Sequence, residues 1–164
     1  WKYYGRPGDG EERNLLGNRR LIPMWPVRGG PVMNDGVIYF SAGLWPEEGI
    51  FIHAVDAETG EEVWKVEIED VDQCGCNITG APLVVKDKVV VGVTAGDSAH
   101  RGYLNAFNAK TGRHAWRFWT IPEPGVEGNE TWHGDKGMES NHDSSKTPYI
   151  GKRFCVKDRT SWGY

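Results

Sequence analysis

The chain has 164 residues, room for one domain, with 22 glycines and eight tryptophans, which suits a turn-rich β protein filled by large aromatics. A formal charge of −4 and an isoelectric point near 5.7 argue against nucleic-acid binding through phosphates. No apolar run approaches the roughly 20 residues of a membrane-spanning helix, and the ends of the sequence say nothing direct about targeting.

Residues 5–27 read as loop, because Gly5, Pro7, Gly8, Gly10, Gly17, Pro23 and Pro26 interrupt any period. The first hairpin runs from Pro31-Val32-Met33 through Asn34-Asp35-Gly36 into Val37-Ile38-Tyr39-Phe40. Asx-Gly between apolar runs marks a tight turn, since glycine accepts the positive φ it demands. Residues 50–56 and 61–68 form a second hairpin around Ala57-Glu58-Thr59-Gly60, which suits a type I turn ending left-handed. The plan then repeats. Residues 81–85 turn at Lys86-Asp87 into residues 88–93, and residues 102–108 turn at 109–112 into residues 113–119. The β-branched runs Val84-Val85 and Val89-Val90-Val91 predict inner strands covered on both faces. A third unit is expected to open at Thr147-Pro148-Tyr149-Ile150, after a Gly-, Pro- and Asn-rich loop over 122–145 of the length that is usually functional or disordered.

The repetition is explicit. Residues 54–64 (AVDAETGEEVW) recur 52 positions later as residues 106–116 (AFNAKTGRHAW). After each tryptophan stand similar residues: Trp64-Lys65-Val66, Trp116-Arg117-Phe118 and, at the start, Trp1-Lys2-Tyr3. A period near 50 indicates a propeller or solenoid of four-stranded units. The expected fold is therefore all-β, an incomplete β-propeller of four-stranded antiparallel blades. Residues 1–28 would hold the end of a preceding blade and a loop, 29–70 a first blade, 78–121 a second, 122–145 the long loop and 146–164 the start of a third. About three repeats fall short of the roughly 4–8 blades that close a ring, so the chain is expected to be a piece of a larger ring, stable only beside further blades or subunits. Trp64 and Trp116 read as packing between blades.

Residues 78–92 (ITGAPLVVKDKVVVG), 101–112 (RGYLNAFNAKTG), 116–118 (WRF), 121–125 (IPEPG) and 129–132 (NETW) closely resemble the quinoprotein alcohol dehydrogenases. These are pyrroloquinoline-quinone (PQQ) enzymes on an eight-bladed propeller. Residues 25–31 (WPVRGGP), 35–40 (DGVIYF) and 43–46 (GLWP) are similar to the broader class of PQQ-like repeat propellers. The resemblance implies oxidation of a small alcohol by hydride transfer to PQQ in a periplasmic or extracytoplasmic protein. It places Thr79 and Thr94 against the quinone and Asp97 on a calcium or lanthanide ion. A hard cation wants carboxylate oxygen, although the family's usual residue there is glutamate. The alternatives are plain strand threonines and a solvated turn carboxylate at Asp97.

The sequence also departs from that family. Gly29-Gly30 stand where its members carry adjacent cysteines, Asp35 falls near a missing arginine, and His133-Gly134-Asp135-Lys136-Gly137 replace an aromatic glycine stretch after Trp132. No residue here takes the family's general-base role. The departures leave a second reading, a non-catalytic PQQ-like propeller acting as a protein-interaction scaffold. Cys74 and Cys76 flank Gly75 and Cys155 stands alone, compatible with free thiols or one tight disulfide. His133, Asp135, His142 and Asp143 offer transition-metal donors on a loosely spaced loop, or simply polar loop residues. The triplets at Asn77 and Asn129 that match the glycosylation pattern arise often by chance.

Overall fold

The computed structural model describes residues 1–8, 13–17, 19–68, 77–93, 102–120, 122 and 125–128. Among these residues there are ten strands: β1 Asn14–Gly17, β2 Arg20–Pro23, β3 Val27–Asn34, β4 Val37–Ala42, β5 Phe51–Asp56, β6 Glu62–Glu67, β7 Leu83–Val85, β8 Lys88–Gly92, β9 Tyr103–Asn108 and β10 His114–Trp119. A 3-10 turn, Pro46–Glu48, interrupts the run between β4 and β5. Strands β3 to β6 form one antiparallel sheet in chain order and β7 to β10 another, the four-stranded blades of a partial β-propeller. Among the described residues no helix is long and apolar enough to cross a membrane.

The turns follow from their residues. Asp35 and Gly36 both take positive φ, 49° and 76°, matching the right-handed twist of the flanking strands. At the β5–β6 turn the Asp56 carboxylate accepts the N–H of Glu58 (2.9 Å) and Thr59 (2.7 Å). One repeat later the Asn108 amide oxygen accepts those of Lys110 (3.0 Å) and Thr111 (3.1 Å). These hydrogen bonds hold the Asp56 carboxyl below its ordinary range. The charged form is thus the one the fold favours, and its contribution fades as pH falls through the carboxylate range. Asp56→Ala should therefore lower the melting temperature at pH 7, with the gap to wild type narrowing below about pH 4. Asn108→Ala should leave a gap independent of pH, and thermal scans from pH 3 to 7 would separate the two.

The core lies between the blades. Tyr39, Ile52, Ala54 and Trp64 of the first sheet pack on Val89, Val91, Phe107 and Ala109 of the second. Trp64 donates its indole N–H to Ala109 O at 2.7 Å, and the Tyr39 hydroxyl donates to the same carbonyl at 3.2 Å. The ring lies so close to Gly112 that an added Cβ would stand 2.9 Å from it. Trp1 repeats the contact one unit earlier, donating to Ala57 O at 3.1 Å and lying over Gly60. Both glycines also have positive φ, 78° at Gly60 and 68° at Gly112, so each meets two demands at once.

Two expectations change. Residues 5–27 are not all loop: β1 and β2 pair as a hairpin, Leu15 opposite Ile22 and Leu16 opposite Leu21. Its turn carries Arg19 at φ 64°, and Leu16 and Leu21 are exposed, so no alternation marked it. The run Val84-Val85 is not covered on both faces. Val84 packs toward the first blade, while Leu83, Val85, Trp116 and Phe118 are exposed. Leu83 pairs with Val90, Val90 with Ala106 and Ala106 with Trp116, so these residues form one outward apolar face. Apart from residues 122 and 125–128, the expected long loop lies outside the described residues, as does the whole of the third unit.

Candidate functional site

Of the site residues suggested by the sequence, Thr79 lies just ahead of β7, next to the Gly80–Ala81 backbone that approaches β3 at Gly29. Strand β3 changes register between Arg28 and Val32, and Gly29 takes φ 65° in that bulge. Ser41 secures the bulge by donating its hydroxyl to Arg28 O at 3.1 Å. A Cβ at Gly29 would fall 2.5 Å from Ala81 N and 2.5 Å from the Gly80 carbonyl carbon. Position 29 therefore excludes any side chain, a physical reason for glycine where the resembling enzymes have cysteine. Gly30 and Gly80 meet nothing within 4 Å of a notional Cβ.

Asn77 sets the approach to Thr79. Its amide donates to Leu44 O (2.8 Å) and its oxygen accepts the Ile78 N–H (2.8 Å). Ile78 is buried, so the next residue turns outward, and Thr79 is exposed beside Gly80. Thr94, Asp97, the three cysteines and the His133–Asp143 loop residues lie outside the described residues. Among those described, no three His, Cys, Asp or Glu residues come together as metal ligands.

A second polar group was missed from sequence because its members are far apart. His53 is fully buried in the middle of β5, stacked on Phe40 with ring centroids 5.0 Å apart and edge-on to Tyr3 at 5.5 Å. Its Nδ1 lies 3.0 Å from the Tyr3 hydroxyl, which donates a very short hydrogen bond to Glu62. Glu62 also approaches Lys65 at 3.5 Å. Since the Tyr3 proton goes to Glu62, the hydrogen between Tyr3 and the ring belongs on Nδ1, and Nε2 has no geometric hydrogen-bond partner among the described residues. Burial pushes the imidazole down to about 4, opposed chiefly by the Glu62 charge, with Lys65 pushing down as well. Burial, and then the bond to Glu62, raises the Tyr3 phenol. The available signal was the 52-residue offset: His53 and Asn105 occupy the same place, and both are polar in the apolar interior of their strands.

The family model for the β-propeller domain of PQQ-type glucose, ethanol and alcohol dehydrogenases matches residues 66–147, half of the chain. The chain belongs to the PQQ dehydrogenase propeller family. Within that family it is similar to the lanthanide-dependent methanol dehydrogenase of Methylacidiphilum fumariolicum, 37% identical over 142 residues, or 81% of this chain and 22% of that protein. It is also similar to the quinohemoprotein alcohol dehydrogenase ADH-IIG of Pseudomonas putida, 40% identical over 97 residues, 54% of this chain and 14% of that one. Among solved structures, a europium-containing methanol dehydrogenase superposes with a TM-score of 0.50 at 33% identity, covering 66% of this chain and 21% of its own. The chain spans less than a quarter of the length of these relatives. Gly29-Gly30 and the exposed Thr79 are thus positions on a PQQ propeller.

Proposed function

We propose that this chain contributes two blades to a PQQ-dependent dehydrogenase that oxidises a small alcohol. The observation that carries the reading is Thr79, exposed next to Gly80, over which a notional Cβ meets nothing within 4 Å. Thr79 and Thr94 would contact the quinone and Asp97 would supply carboxylate oxygen to calcium or a lanthanide. When bound, PQQ accepts the hydride and the cation polarises its carbonyl; the residues of this chain bind and orient it. A periplasmic or extracytoplasmic setting goes with this reading.

The outward apolar face is assigned to a further blade of the same protein or of another subunit. Trp116 and Phe118 stand where Trp64 and Val66 stand one repeat earlier, yet Trp116 is 42% and Phe118 60% exposed. A face of that kind marks an interaction site. Light scattering of the purified chain should show self-association that Trp116→Glu with Phe118→Glu reduces. A monodisperse monomer with a cooperative, high-temperature transition would remove this assignment.

PQQ should bind to the chain in the presence of calcium or lanthanum chloride, followed by quinone absorbance, and Asp97→Ala should weaken metal-dependent binding at least tenfold. The absence of binding with either ion would overturn the dehydrogenase reading. That outcome would favour the scaffold, in keeping with the close approach at Gly29, which leaves no place for the family's cysteine pair.

A further inference from the structure

We propose that the cleft between the β1–β2 hairpin and the Leu44–Trp45 segment binds a small amphipathic anion, a medium-length apolar chain that ends in a carboxylate. The cleft has a volume of about 680 Å³, within the roughly 300–1,000 Å³ of small-molecule sites. Leu15, Gly17, Arg20 and Ile22 of the hairpin line it together with Leu44 and Trp45. Trp45 is 51% exposed, so apolar surface faces solvent here instead of closing into the core, as it does at sites of interaction. Filling the cleft requires neither quinone nor metal, and the assignment stands apart from the dehydrogenase reading.

The walls are fastened to each other where the hairpin begins. Arg13, next to β1, donates two hydrogen bonds to the Glu48 carboxylate, at 2.8 and 3.2 Å. The Trp25 indole N–H donates to Glu48 O at 2.8 Å, and the Met24 N–H donates to Arg13 O at 2.9 Å. Glu48 ends the 3-10 turn that follows Trp45, so the hairpin and the Trp45 segment are joined through it. A ligand therefore meets a site already formed, and little of its binding energy goes into ordering the protein. Asn77 holds the Leu44 carbonyl, which puts the cleft at the end of the blades that carries Thr79, among connecting segments of the kind that bear binding residues.

The charge of the ligand follows from the order of residues along the hairpin. Leu15 stands opposite Ile22, and two residues nearer the turn Gly17 stands opposite Arg20. Residues two apart on a strand share a face, so one face presents an apolar pair and then a cation, about 7 Å further on. An added Cβ at Gly17 would stand 2.7 Å from Ile22 Cδ1, and the place across from Arg20 has no side chain to occupy it. Arg13 is committed to Glu48, whereas Arg20 makes no ion pair among the described residues. A carboxylate on Arg20 lets the attached chain run back over Leu15 and Ile22 against Leu44 and Trp45. A neutral alcohol of the same length would gain the apolar part alone, and an amine would meet Arg20 as a like charge.

The test is methyl NMR of the full chain titrated with octanoate, octanol or octylammonium at one ionic strength. Octanoate should move the Leu15, Ile22 and Leu44 methyls saturably and leave Met33, an exposed residue of β3 outside the cleft, in place. Arg20→Gln, at an exposed position that the fold does not depend on, should weaken octanoate at least about threefold, the scale of an exposed ion pair, with octanol unchanged. Trp45→Ala should weaken both. No saturable shift with octanoate, octylammonium bound as tightly as octanoate, an octanoate affinity unchanged in Arg20→Gln, or Met33 moving together with the cleft methyls would each overturn the proposal. Should Trp45→Ala disturb the fold, the Arg20→Gln comparison decides.

Discussion

Trp64→Ala is expected to lower the unfolding free energy by about 3–5 kcal/mol, the range for deleting a large buried aromatic. Trp64 is 8% exposed, fills the space between the blades, and gives its indole hydrogen to Ala109 O. The Tyr39 hydroxyl still reaches that carbonyl, so the loss is mainly packing and cavity rather than an orphaned acceptor. Trp64→Phe should cost less, keeping an aromatic ring over Gly112. Trp116→Ala, at the same place one repeat later, should cost under about 1 kcal/mol in the isolated chain because its ring is 42% exposed. Urea denaturation of the three variants checks the ordering. Equal costs for Trp64→Ala and Trp116→Ala would mean that the outward face of the second blade is covered in solution.

Gly29→Ala should destabilise the chain by about 2–6 kcal/mol, and Gly30→Ala by less than about 1. Left-handed backbone at a residue with a Cβ costs about 1–3 kcal/mol, and overpacking adds about 1–3. At Gly29 both apply: φ is 65°, and the obstructing atoms are the Gly80–Ala81 backbone, which no rotamer change can move aside. Gly30 has neither problem. Relief at position 29 requires the inner strands to separate, so Gly29→Ala should also shift the amide resonances of residues 79–81. Normal shifts there together with an unchanged urea midpoint would show that the two strands do not approach as described.

The sequence disclosed the features that are local or periodic. Asn34-Asp35-Gly36, the Asp56 and Asn108 turns and the 52-residue echo each contain their own physical cause within a few residues, and the blades follow from them. The β1–β2 hairpin was hidden because its apolar residues come in adjacent pairs, Leu15-Leu16 and Leu21-Ile22, instead of alternating. Coverage of Val85 could not be judged from β-branching, since that depends on what lies beyond Trp116 and Phe118. The His53 group depends on contacts across 50 and 59 positions, to Tyr3 and from Tyr3 to Glu62, which no motif spacing announces. For the candidate cofactor site, the family resemblance supplied Thr79, and Gly29 became intelligible only when Gly80 was placed against it.

The indole-to-carbonyl contacts from Trp1 to Ala57 and from Trp64 to Ala109 run in one direction along the chain. Each unit extends a donor forward and presents an acceptor backward, as in a row of identical tiles with a tongue on one edge and a slot on the other. A tandem gene duplication of one whole unit would therefore supply the slot that the preceding tongue needs, with no compensating substitution elsewhere. An insertion of half a unit would leave a tongue facing the wrong edge. Growth and shrinkage of such proteins over evolution should accordingly proceed in steps of one whole unit, with the indole as the mark that keeps count.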